Sequence, residues 1–179
     1  MEANQEVYDP QKLIALLPIR TYHIVANIGN KSDHYTIALG KYLFDGKVFA
    51  IDPIGKDFKS LQEKLNIVNL TNVEKVTGLD NFTKDNSNIL DGALVAFAVN
   101  SASTMKKREA FLKSISKALK KGGWVAIIEW NESYRDNYSP PMSKRITKKD
   151  LDSSIEKAGF RSNDNHDLDG KYYMKLLRK

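Results

Sequence analysis

A chain of 179 residues, 41% apolar and 28% charged, has the size and composition of a single globular domain with a sizeable core. It has no cysteine, which excludes disulfides, thiolate metal sites and cysteine nucleophiles, and no apolar run long enough to cross a bilayer. The formal net charge of +6 admits attraction to nucleic acid or anionic lipid, although a lysine-rich composition gives the same balance without any such function.

The polar start Met-Glu-Ala-Asn-Gln-Glu does not read as a signal peptide, so a cytoplasmic location is expected. From there, short apolar stretches alternate with amphipathic ones, the pattern of βαβ units on a parallel sheet. Residues 12–17 form a short apolar helical piece closed by Pro18. Residues 22–28 read as the first strand. Ser32 can cap a helix to about residue 44, with Tyr35, Ile37, Ala38 and Leu39 toward the core. The turn Asp45-Gly46 leads into a second strand at 47–51, followed by a helix at 58–65 and a third strand at 72–76. Residues 81–88 are polar and read as a loop.

Residues 93–99 are continuously apolar, as in a mid-sheet strand covered on both faces. A helix is expected over 104–121, with Met105, Leu112, Ile115 and Leu119 at helical spacing and Gly122-Gly123 as its end. The fifth strand is expected at 124–128, then a polar, proline-containing loop over 131–142. Thr147-Lys-Lys-Asp150 resembles a capping box and opens a helix to Ala158. After Gly159, two strands flank the hairpin signal Asp169-Gly170.

The most informative stretch is the strand that runs into Gly29, together with the strand Val48-Phe-Ala-Ile-Asp52. A strand, a glycine turn over a helix start, and an acid at the tip of the next strand form a nucleoside-binding arrangement. Gly29 lets backbone approach a ligand closely, and Asp52 can accept both ribose hydroxyl protons. The alternative for Gly29 is a tight turn without ligand, and for Asp52 a helix cap. Only one glycine stands in this turn; Lys31 and Asp33 occupy the positions that follow.

The motif Asn27-Ile-Gly29-Asn30, the strand ending in Asp52, the segment 119–130 and the order of elements resemble class I S-adenosylmethionine-dependent methyltransferases, in particular the small-molecule group called UbiE-like or type 11. The resemblance covers nearly the whole chain. It implies one Rossmann-like α/β domain over 1–179: a seven-stranded, mostly parallel sheet, a C-terminal antiparallel hairpin, and helices on both faces. It implies S-adenosylmethionine as cofactor and S-adenosylhomocysteine as product. Asn27, Gly29, Asn30 and Tyr35 would then lie along the methionine part of the cofactor. Asp52 would bind the ribose, Pro53 and Ile54 would pack on adenine, and Asp80 and Asn81 would sit near its amino group. Ala98, Asn100 and Ser101 would lie beneath the transferred methyl. The chain departs from the family at Asn27, where an acid is usual, and at Lys31 and Asp33, where glycines are usual. Lys31 either crowds the methionine carboxylate or neutralises it.

Methyl transfer from a sulfonium needs mainly proximity and alignment, and a base only where the acceptor must lose a proton. No catalytic residue is therefore fixed by the sequence. Asn100, Glu129, Tyr134 and His34 are candidates by position. Each also has an ordinary reading: a cap, a solvated acid at a strand end, loop packing and a surface residue. Lys106, Lys113, Lys117 and Lys120 fall in one helical stripe, read either as a nucleic-acid contact or as a solvated face. No aromatic residue interleaves with them, so base stacking has no support. His23, His34 and His166 show no metal-ligand spacing, and no metal is expected. The leading function is methyl transfer to a small-molecule acceptor. The alternatives are an inactive methyltransferase-like binding module and an RNA methyltransferase.

Overall fold

The computed structural model describes residues 7–29, 33–53, 58–99, 104–137 and 139–179. A seven-stranded sheet runs in the order β3 (Val73–Thr77), β2 (Lys47–Asp52), β1 (Ile24–Ile28), β4 (Leu90–Ala96), β5 (Leu119–Trp130), β7 (Tyr172–Arg178), β6 (Arg161–Leu168). β1 pairs in parallel with β2 and β4, as do β2 with β3 and β4 with β5, while β7 is antiparallel to both its neighbours. Strand order reverses between β1 and β4, and the crevice above that point is where open α/β sheets bind ligands.

The central strands are apolar on both sides because helices cover both faces. On one face α4 (Leu79–Asp85), α5 (Met105–Ala118) and α6 (Lys148–Lys157) bury Phe82, Leu112, Ile115 and Leu151 against Ile28, Val95 and Ile127. On the other, α1 (Pro10–Leu16) and α2 (Asp33–Tyr42) pack Leu13, Tyr35 and Leu39 over Val25, Leu94 and Ala126. α3 (Lys59–Ile67) adds Leu61 and Leu65 against Ala50. The Asp9 side chain caps α1, accepting from the backbone N–H groups of Gln11 and Lys12, with Pro10 at the first helical position. Thr104 and Thr147 cap α5 and α6 in the same way. The cap expected at Ser32 lies outside the described residues.

Five expectations are corrected. Residues 81–88 are not all loop: α4 occupies Leu79–Asp85, because Leu79 and Phe82, one turn apart, bury an apolar edge beneath otherwise polar residues. The Phe82 ring lies 4.9 Å from that of Phe49. The helix expected to 121 stops at Ala118, since Leu119 is already extended and pairs with Leu90. β5 then runs through Gly122-Gly123 instead of starting after it, and Lys120 belongs to the strand. β4 ends at Ala96 and not at 99, because Phe97 takes a left-handed conformation with φ of 57° and turns the chain off the sheet. β1 starts at Ile24, leaving Tyr22 exposed in a turn.

The C-terminal hairpin is as expected. Asp169 and Gly170 both have positive φ, 56° and 68°, and with Lys171 they make the three-residue connection between the paired Leu168 and Tyr172. β6 is an edge strand with almost every residue exposed, whereas β7 is buried.

Candidate functional site

The crevice is bounded by the C-terminal tips of β1, β2 and β4. Gly29 follows β1 directly, and its N–H donates to the Ile51 carbonyl at 3.3 Å. A Cβ at this position would lie 2.4 Å from the Ala96 carbonyl oxygen, so the tips of β1 and β4 approach too closely for any side chain. The glycine is therefore demanded by the sheet itself. Asp52 ends β2 with only 7% of its surface exposed, and its carbonyl accepts from Gly78 N–H at 2.9 Å. Pro53, next in the chain, is half-buried.

Asn27 is fully buried within β1, and its side-chain amide donates to Thr36 Oγ1 on α2 at 2.8 Å. That bond fixes the tip of β1 to the helix beside the crevice. Tyr35 is 2% exposed, buried against α1. Burial pushes its phenol well above the usual range, with the Tyr8 backbone opposing the shift. It is thus a core residue between α1 and α2. Ala98 is buried beside the β4 tip. Asp80 and Asn81 are exposed in the first turn of α4, where Asn81 Nδ2 donates to the Thr77 carbonyl at 3.0 Å and Asp80 Oδ1 accepts from Ser114 Oγ at 3.4 Å. Asn30, Lys31, Ile54, Asn100 and Ser101 lie outside the described residues.

Among the proton-transfer candidates, His34 is exposed on α2. Glu129 is not the solvated acid of its ordinary reading: it is 1% exposed, in β5, directly opposite Tyr173 of β7. Tyr134 is half-buried, its hydroxyl donating to Asp136 Oδ2 at 3.2 Å and its ring 6.2 Å from Trp130.

Several contributors carry no local sequence signal. Asp33 accepts from Lys64 Nζ at 2.8 Å and Ser60 Oγ at 3.1 Å, both on α3. Phe97, Trp130 and Tyr172 pack together at the tips of β4, β5 and β7, with centroid separations of 4.7 to 6.1 Å. Arg145 holds the 131–146 loop over them. Its guanidinium donates to the carbonyls of Asn131 and Tyr134 at 2.6 Å and of Pro140 at 2.9 Å, and lies 5.6 Å from the Trp130 ring. An open cleft of about 840 Å³ lies beside this loop, lined by Glu132, Ser133, Tyr134, Arg135, Met142 and Gly170.

The expected basic stripe loses Lys120, which lies in β5, and what remains on α5 is partly neutralised. Lys113 pairs with Glu109 at 2.6 Å, and Lys120 with Asp91 at 2.7 Å. Among the described residues no cluster of His, Asp or Glu could hold a metal ion, and no helix is long and apolar enough to cross a membrane.

No protein-family model matches the chain, and no curated protein matches it. Solved structures do. A SAM-dependent methyltransferase from Aquifex aeolicus superposes with a TM-score of 0.84 at 24% identity, over 96% of this chain and 89% of its own. A protein described as a type 11 methyltransferase, from Sulfolobus solfataricus, gives 0.68 at 17% identity, over 97% and 94%. The [4+2]-cyclase SpnF gives 0.75 at 13% identity, over 95% and 79%. At these identities the likeness is one of fold. With its strand order and, among the described residues, one reversed strand and three α-helices on each face, the chain has the Rossmann-like class I methyltransferase fold.

Proposed function

We propose that this protein is an S-adenosylmethionine-dependent methyltransferase acting on a small-molecule acceptor. The observation that carries the reading is the pairing of Gly29 and Asp52 at the tips of adjacent strands, where strand order reverses. Asp52 would accept the ribose hydroxyls, with Pro53 beside the adenine and Asp80 and Asn81 at its rim. Asn27, Gly29 and Asn30 would lie along the methionine end, and Ala98 and Asn100 beneath the methyl. Tyr35 would act from behind, by holding α1 against α2.

The residues present fit this group. What supports the fit is the nearly buried Asp52 carboxylate at the tip of β2, while the need for glycine at position 29 comes from the Ala96 carbonyl. The Asp33 carboxylate, which stands where a glycine is usual, is drawn to Lys64 and Ser60 on α3. Bound there, the cofactor would supply an electrophilic methyl group; the chain's part is to orient the acceptor and exclude water.

A second reading, a binding module without transfer, is favoured by Asn27, whose amide is already committed to Thr36. An RNA-directed enzyme is less well supported, because Lys113 and Lys120 are internally paired. Calorimetric titration with S-adenosylmethionine and S-adenosylhomocysteine, beside Asp52→Ala, tests the proposal. Binding near micromolar that the variant loses is the expected result. No binding at millimolar ligand leaves only the non-enzymatic reading.

A further inference from the structure

Glu129 and Tyr173 face each other across the β5–β7 pair, and Tyr173 belongs to the apolar cluster beneath α5 and α6. Glu129 is 1% exposed and Tyr173 5%, and among the described residues the Tyr173 hydroxyl has no hydrogen-bond partner. A buried hydroxyl left unsatisfied is destabilising, so its retention beside a buried acid asks for an explanation. Directly opposite residues in an antiparallel pair have Cβ atoms about 4.5–5.5 Å apart, so the two side chains leave the sheet side by side on one face.

Their position joins them to the candidate site. The Phe97 N–H donates to the Ile128 carbonyl at 2.9 Å, so Glu129 is the next residue of β5 beyond the last bond of the β4–β5 ladder. Ala98 and Tyr173 belong to the same core cluster. The roof over Tyr173 is Lys148, with Nζ 5.2 Å from the ring centroid. The Lys148 N–H donates to Glu132, which lines the open cleft beside the 131–146 loop. The cleft wall and the roof of the pair thus share a contact.

We infer that Glu129 and Tyr173 form the acceptor end of the site, and that the acceptor is a neutral O–H or N–H compound, not a carboxylate. The inference rests on the methyltransferase reading above. The acceptor heteroatom forms its bond to the methyl carbon while the carbon–sulfur bond breaks and leaves its electron pair on sulfur. The O–H or N–H proton passes to the Glu129 carboxylate, and the Tyr173 hydroxyl holds the acceptor heteroatom in line. An anionic acceptor is disfavoured because two negative charges at contact in a buried site repel strongly. Burial, then the charges of Glu129, Glu132 and Asp152, push the Tyr173 phenol far up, so it stays a protonated donor.

The test uses wild type, Glu129→Gln and Tyr173→Phe, each saturated with S-adenosylhomocysteine and then titrated with 4-nitrophenol, whose visible absorption reports its ionisation. All three should bind S-adenosylhomocysteine alike. Wild type should hold the phenol neutral. In Glu129→Gln the ionisation midpoint of the bound phenol should fall by about one pH unit or more, a tenfold change in proton affinity. Tyr173→Phe should weaken phenol binding by about fivefold, the loss of one hydrogen bond. Identical midpoints and affinities in all three, or no phenol binding by wild type that does bind S-adenosylhomocysteine, would overturn the inference. If S-adenosylhomocysteine itself is not bound, the methyltransferase reading falls and this one with it. Should Glu129→Gln fail to fold, the affinity of Tyr173→Phe decides alone.

Discussion

Lys64 on α3 reaches across to Asp33 in the first turn of α2 and holds its carboxylate at 2.8 Å, with Ser60 adding a second hydrogen bond. The pair is partly exposed, so its worth to stability is about 1 kcal/mol or less. Its importance lies in where it keeps a negative charge. Lys64→Ala should leave unfolding nearly unchanged but weaken S-adenosylhomocysteine binding severalfold, because the freed carboxylate can repel that of the ligand. Asp33→Ala in the same background should restore the affinity. Equal affinity in all three proteins, measured by calorimetry, would remove Asp33 from the site.

The approach of β4 to Gly29 sets a stability prediction independent of any ligand. In Gly29→Ala the new methyl meets a backbone carbonyl that cannot swing aside. The expected loss is about 1–3 kcal/mol in urea denaturation, the usual cost of overpacking. A change within experimental error would mean the strand tips are looser than described.

Phe82 is the anchor of α4 and touches Phe49. Phe82→Ala should cost about 3–5 kcal/mol, as large-to-small changes at buried aromatics do. Hydrogen exchange should show α4 opening first. Uniform exchange across the molecule would argue against α4 as a separately held element.

Arg145 can be tested by proteolysis. Arg145→Ala removes donors to three carbonyls at once and should make the 131–146 loop the first site of cleavage. Lysine should rescue poorly, since an ammonium lacks the planar fork that addresses several acceptors. Full rescue by lysine would show that only charge near Trp130 matters.

Asp91 gives a pH prediction. Burial would raise its pKa, but the Ile24 N–H, at 2.8 Å, and the Lys120 ammonium outweigh burial and hold it below the usual carboxylate range. A depressed acid contributes stability that is present above its unfolded pKa, about 3.9, and is lost as pH falls through the lower folded value. Wild type should therefore lose stability more steeply than Asp91→Asn below about pH 4. Parallel stability curves for the two proteins in that range would contradict the assignment.

Strands whose residues are apolar on both faces were legible in the sequence because their composition reflects double burial, and so was the Asp169-Gly170 hairpin, whose turn chemistry is local. α4 was not, because its buried face amounts to Leu79 and Phe82 within a polar run. The start of β5 was hidden behind helix-favouring Leu119 and Lys120, whose extended state is set by pairing with Leu90 and Asp91 on another strand. For the site, Gly29 and Asp52 stand out because strand-end chemistry is written locally. The burial of Glu129 and the reach of Lys64 and Arg145 depend on elements far along the chain, and no window of sequence contains them.

The exposed edge strand β6 has one more consequence. Its residues Arg161 to Asp167 are nearly all exposed and carry charge or amide at most steps, and β3, at the opposite edge, presents Glu74 and Lys75. A second sheet docking on either side would have to strip water from those groups without offering them partners. The aggregation-prone apolar strands are thereby fenced between two hydrophilic borders, and the protein should remain dispersed at concentrations where a bare-edged sheet would begin to stack.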